Sequence, residues 1–208
     1  MRRQAQPTLI LALIAACGAA HANLLLNPGF ELADNGGAAT NWWTYNAAGT
    51  RLTWATHNGT YGAAFYTAGN EYGGIGQDVA TNLNAGDILT LSFYGKAETG
   101  YTVFNSYIEL QFFTGGAMTY AVTNNVWSGL TNAMNTWNHI TVVQTNTVSG
   151  ITMVKPVIAY SGCTITEPGH TAQWDDLDLT VQAIPEPATA GLIGMAGLAF
   201  LAFRRMRR

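Results

Sequence analysis

Positive charge is scarce in this chain and confined to its ends. Of nine Lys and Arg residues, six are Arg2, Arg3, Arg204, Arg205, Arg207 and Arg208. Between Asn23 and Ala183 only Arg51, Lys96 and Lys155 stand against eleven Asp and Glu, a formal charge of −8. No basic patch exists to neutralise phosphates, which excludes nucleic acid as a partner. Cysteine is equally rare. Cys17 belongs to the N-terminal targeting segment, so Cys163 has no intramolecular partner and a disulfide scaffold is excluded. Signatures of catalysis are missing too: there is no Gly-x-Ser-x-Gly elbow, no Cys/His pair and no phosphate loop. His57, His139 and His170 lack metal-ligand spacing. Glu71, Glu98, Glu109 and Glu167 could be imagined as the two carboxylates of a glycosidase, but none lies in a motif, so they read as solvated surface and the chain as a non-enzyme. Gly73-Gly74-Ile75-Gly76 precedes no helix and reads as a loop or bulge.

What is present begins with the two ends. Arg2 and Arg3 form a basic n-region, Leu9 to Ala16 a short apolar core, and Ala20-His21-Ala22 a small-x-small cleavage site. Residues 1–22 therefore read as a secretory signal peptide with Asn23 as the mature N-terminus. Ile14-Ala15-Ala16-Cys17 offers a second reading as a lipoprotein box, with Cys17 lipidated and retained. At the other end Pro185, Glu186 and Pro187 precede an apolar run over residues 188–203 and a basic tail over 204–208. As a helix the run rises roughly 24 Å against a hydrocarbon core of about 30 Å, a short single transmembrane segment. The closing arginines place the C-terminus in the cytoplasm and the rest of the chain outside. Residues 184–208 resemble the sorting signal of bacterial PEP-CTERM proteins. That resemblance implies an exosortase partner that cuts a membrane-held precursor, leaving the product in the cell envelope or outside the cell.

The 161 residues from Asn23 to Ala183 are long enough for one domain with a substantial core. Their pattern is all-β. Ile88 to Tyr94 alternates with Leu89, Leu91 and Phe93 inward, and Tyr101 to Phe113 repeats the device with Phe104, Ile108, Leu110 and Phe112. Further runs cover Trp137 to Gln144, Ile151 to Tyr160 and Trp174 to Val181, between Asn-, Gly-, Thr- and Ser-rich connections. Short strands at this spacing predict a jelly-roll β-sandwich. In the last run Asp175 shares its parity with Leu177, Leu179 and Val181, which predicts a carboxylate on the inward face. An isolated charge there is costly unless it is paired, hydrogen-bonded or bound to metal.

Several stretches resemble carbohydrate-binding modules with the galactose-binding-like jelly roll. They are Asn23-Leu24-Leu25-Leu26-Asn27-Pro28-Gly29-Phe30-Glu31, Trp42, Tyr61-Gly62-Ala63-Ala64 before a strand, Ala85-Gly86-Asp87, Thr136-Trp137 and Trp174-Asp175-Asp176-Leu177. The resemblance implies that the opening segment lies beside the last strand, and that Trp42 and Trp137 are buried. It also implies one structural calcium ion on Glu31 and Asp175, with Asp176 as the substitute, since oxygen ligands suit this ion. The other reading leaves Asp175 accepting backbone N–H bonds, with Glu31 and Asp176 solvated. Sugar rings present C–H faces and hydroxyl edges and so are held by exposed aromatics and planar polar groups. Trp43, Trp54, Tyr72 and Trp127, in polar or loop-like settings, are the candidates. Two functions fit: non-catalytic binding of an extracellular polysaccharide, or a structural, adhesive role in envelope or biofilm with no specific sugar site.

Overall fold

A computed structural model describes residues 22–46, 48–65, 69–126, 131, 133–165 and 171–184, with side chains omitted at 69–72, 101–105 and 160–165. The leader to residue 21, Trp127, and the tail from Pro185 onward, with its Pro-Glu-Pro motif and apolar run, lie outside the described residues.

Eleven strands and no helix occur among the described residues. They are β1 (Trp43–Tyr45), β2 (Ala48–Leu52), β3 (Gly62–Phe65), β4 (Gly69–Gly76), β5 (Val79–Leu83), β6 (Ile88–Ala97), β7 (Tyr101–Thr114), β8 (Ala117–Asn125), β9 (Asn138–Thr145), β10 (Ile151–Ile165) and β11 (Ala172–Gln182). Two antiparallel sheets result. One has the order β1-β4-β10-β7-β8, with β5 also pairing β10; the other runs β2-β3-β11-β6-β9. This is the expected β-sandwich, and the five runs read from alternation become β6, β7, β9, β10 and β11.

Alternation also builds the core. Leu89, Leu91 and Phe93 from one sheet and Ile108, Leu110 and Phe112 from the other are fully buried. Residues of opposite parity in β6 stay partly exposed. Phe65 packs on Trp174 with ring centroids 4.2 Å apart, and Phe30 on Trp42 at 5.0 Å. Trp42 is buried as expected, whereas Trp137 is half-buried, because it lies just before β9 on the outer side of its sheet.

The opening segment lies along β11, as the resemblance implied. The Leu24 amide donates to the Leu179 carbonyl at 2.8 Å, and the Leu177 amide to the Pro28 carbonyl. At the far end the Ile184 amide donates to Asp87 at 3.0 Å.

Two readings are corrected. Gly73 to Gly76 is no loop; it is the end of strand β4, between β1 and β10. Glycine is required at two of these positions because rings from β1 lie across them. A Cβ on Gly76 would overlap the Trp43 indole, and one on Gly74 would sit 2.6 Å from the Ile158 carbonyl oxygen as well as 2.7 Å from the Tyr45 hydroxyl. Second, the parity of β11 breaks at a bulge between Asp175 and Asp178, with Asp176 at φ 51°. The extra residue leaves both Trp174 and Leu177 in the core. Asp175 is therefore buried on the outer side of the sheet, where it pairs with Tyr94.

Candidate functional site

Register across the six-stranded sheet aligns two rows of residues on its outer face. One runs Trp43, Gly76, Val157, Glu109, Thr123; the next runs Tyr45, Gly74, Ala159, Tyr107, Asn125. The interleaved residues Ile75, Ile158 and Ile108 point into the core. Trp43 and Tyr45 lie side by side with centroids 5.9 Å apart, both half-buried over the glycines of β4. Val157 and Ala159, although on the outer face, are buried as well. The face thus begins with an apolar aromatic shelf and turns polar towards β7 and β8.

The polar part is organised by charge. The Trp43 Nε1 donates to Asp78 at 3.2 Å, and Lys155 pairs with the other oxygen of Asp78 at 3.0 Å. Lys155 also lies 4.9 Å over the Phe113 ring. Beside it in the register, Gln111 donates its side-chain amide to Glu109. From Trp43 to Glu109 is three strand spacings, roughly 14 Å. That width matches a short run of sugar rings laid across strands, with aromatic faces at one end and planar amide and carboxylate groups at the other.

Of the expected sugar contacts, Trp43 lies on this face, and Tyr72 takes the adjoining register position opposite Ser161. Trp54 does not join them. It is 49% exposed but stands in the turn after β2, in the other sheet. Tyr45, Tyr107, Glu109, Gln111, Asn125 and Lys155 were missed as site residues. Their signal was legible in part: Tyr107, Glu109 and Gln111 alternate with Ile108, Leu110 and Phe112, a polar face on a strand whose other side is core. A separate crevice of about 330 Å³ opens between β8 and β9, lined by Asn124, Val126, Ile140 and Val142 among others. Asn125 lines it too, so it opens beside the polar end of the outer face, away from Trp43 and Tyr45.

The three acidic residues do come together, at the end of the opening segment. A Cβ on Gly29 would lie 3.8 Å from Oδ1 of both Asp175 and Asp176, and 3.9 Å from Cγ of Glu31. Together they pin the loop over residues 57–61. Asp175 Oδ2 accepts from the amides of His57 at 2.8 Å and Asn58 at 3.1 Å, and its Oδ1 from the amide of Asp176. Glu31 Oε1 accepts from the amides of Thr60 and Tyr61, and Asp176 Oδ2 meets His57 Nδ1 at 2.7 Å. Burial pushes the Asp175 carboxyl up to about 6, an effect the three amide bonds partly oppose and the Asp176 charge reinforces. His57 stacks flat on Tyr94 at 3.8 Å and closes the site from above. Among the described residues no group of three His, Cys, Asp or Glu side chains is arranged to hold a metal ion.

The architecture is shared with solved β-sandwich proteins. The enzymatically active domain of tailspike protein 4 from bacteriophage CBA120 matches at TM-score 0.55 and 12% identity, over 77% of this chain and 21% of that one. This chain thus spans about a fifth of the tailspike's length. A cyclase from Fischerella sp. TAU matches at 0.53 and 15%, over 79% and 98% of the two chains. The CBM22-1 xylan-binding domain of Paenibacillus barcinonensis Xyn10C matches at 0.50 and 10%, over 79% and 97%. At these identities the likeness defines a class, two-sheet β-sandwiches of the kind used by binding modules and by some enzymes. No curated protein matches in sequence. The family model for a carbohydrate binding domain (CBM_4_9) matches residues 22–159, and the chain belongs to that family.

Proposed function

We propose that the domain holds an extracellular polysaccharide without cleaving it, on the outer face of the six-stranded sheet. The observation that carries this reading is the aromatic shelf of Trp43 and Tyr45 laid over two glycines, backed by the polar row of Glu109, Gln111 and Asn125. A sheet face needs neither for its own stability: the rings cover a surface that ordinary side chains could cover, and glycine in a strand costs stability. Family membership supports the same conclusion. Turnover is not part of the proposal, because Asp78 is held by Lys155 and the Trp43 indole while Glu109 is held by Gln111. Affinity electrophoresis on a panel of polysaccharides tests the reading: saturable retardation, lost in Trp43→Ala, is expected, and its absence favours the structural, adhesive role.

The export pathway and the calcium belong to the proposal too. The leader 1–22 delivers the domain across the membrane, and the tail 184–208 holds it there until an exosortase cuts it. Glu31 through Oε2, Asp176 through Oδ1 and Asp175 through the remaining lone pair of Oδ1 would hold one Ca²⁺ beside Gly29, tying the opening segment to β11 and the 57–61 loop. Carboxylate oxygens suit that hard ion chemically, and it would have to draw the side chains closer than they stand here.

A further inference from the structure

Of the three cationic side chains among the described residues, two are ion-paired. Lys155 meets Asp78 at 3.0 Å, and Lys96 meets Glu98 at 3.5 Å. Arg51 meets no carboxylate. Its guanidinium lies over the Tyr61 ring with Cζ 3.9 Å from the centroid, and its Nε is buried without an acceptor. Glu31, whose Oε1 accepts from the amides of Thr60 and Tyr61, makes no ion pair with it. A half-buried guanidinium with an orphan donor is costly.

The backbone adds a second cost at the same place. Arg51 sits at φ 56°, where the β2–β3 register shifts between Gly49 and Leu52. A long side chain in the left-handed region is uncommon, and strain of this kind collects at ligand sites. Strained backbone, a guanidinium with no carboxylate partner and a ring that braces it leave the two terminal nitrogens, not the sealed Nε, as a fork for a planar oxyanion. Arg51 also stands on an edge strand, and β2 directly follows β1, whose Trp43 and Tyr45 form the aromatic shelf.

We propose that Arg51, braced on Tyr61, reads the carboxylate of a uronic acid substituent on the bound glycan. The inference rests on the polysaccharide-binding reading above and narrows it. A charge of −8 between Asn23 and Ala183 repels a polyuronate, so one arginine cannot hold a chain charged at every sugar. A neutral chain carrying sparse uronates escapes that repulsion. Its backbone occupies the shelf on β1 while an acidic branch crosses the edge to β2.

The test uses residues 23–183, which hold all but the first residue of the family match over 22–159. Calorimetry compares a xylan bearing glucuronic acid branches with the same polymer after carboxyl reduction, for the wild type, Arg51→Lys and Arg51→Gln. The wild type should prefer the carboxylated polymer by about tenfold, the worth of one charge-assisted bidentate contact. Arg51→Gln should bind both polymers alike, at the level of the wild type with the reduced one. Arg51→Lys should keep only part of the preference, since it retains the charge and loses the fork. Equal affinity of the wild type for both polymers overturns the proposal while leaving the shelf intact. If neither polymer binds, the shelf reading fails by itself, and Arg51 is judged on free glucuronate. The Arg51 Nε–H resonance should then shift with glucuronate and stay still with glucose; no shift with glucuronate also overturns the proposal.

Discussion

Asp175 makes stability depend on pH in an unusual direction. Its carboxyl has no exposed surface and is pushed from 3.8 up to about 6, chiefly by burial. The folded state therefore binds this proton more tightly than the unfolded chain does. The stabilisation is complete below pH 3.8 and is lost as pH rises through about 6. Two pH units correspond to about 3 kcal/mol, or roughly 6–12 °C in melting temperature for a domain of this size. Every group that titrates between pH 4 and 7 contributes to the raw melting curve. The informative quantity is a difference. Wild type and Asp175→Asn are melted in chelator at pH 4 and pH 7, and the wild type should lose about 2 kcal/mol more than the variant over that interval, most of the full effect. Equal pH dependence in the two proteins would show that Asp175 is ionised as readily folded as unfolded, and the account of its burial would be wrong.

Other consequences follow from the same packing. Calcium should raise the melting temperature at pH 7 by a shift that grows with its concentration, and Glu31→Gln should remove most of that shift; a melting temperature indifferent to chelator counts against the ion. Gly62→Ala should cost about 3 kcal/mol or more in denaturant unfolding, because the new Cβ would overlap the Ala55 carbonyl, which is backbone and cannot swing aside. Trp174→Ala should cost about 3–5 kcal/mol through the cavity left against Phe65, and a loss below 1 kcal/mol would contradict its place in the core. Tyr45→Ala should weaken polysaccharide binding with little change in melting, whereas Trp54→Ala, in the other sheet, should leave binding to a neutral polymer unchanged; calorimetry on both variants decides.

The strands legible in the sequence were those whose burial alternates cleanly. Leu89, Leu91 and Phe93 declare β6, and Ile108, Leu110 and Phe112 declare β7, because one face of each meets the opposite sheet. β1, β4 and β8 escaped for separate reasons. β1 is three residues long. β4 ends in glycines whose purpose lies in a different strand, the rings of Trp43 and Tyr45, and so reads locally as a loop. β8 is an edge strand with mostly exposed residues and little apolar signal. The acidic cluster was legible in its members and misread in its side. Asp175 is buried as parity required, but a bulge at Asp176 moves it from the core to the outer face, and no single-strand pattern announces a bulge. The binding face was half legible. Trp43 was in view as an aromatic in a polar setting, while its partners Glu109, Gln111 and Asn125 become neighbours only through register across β10, β7 and β8.

Calorimetric titration of residues 23–183 with a soluble polysaccharide, wild type against the double variant Trp43→Ala/Tyr45→Ala, tests the central claim most directly. The account predicts saturable binding by the wild type, no release of reducing sugar, and at least a tenfold loss in a variant that still melts cooperatively. Undiminished binding by the double variant, or turnover of the polymer by the wild type, would contradict it.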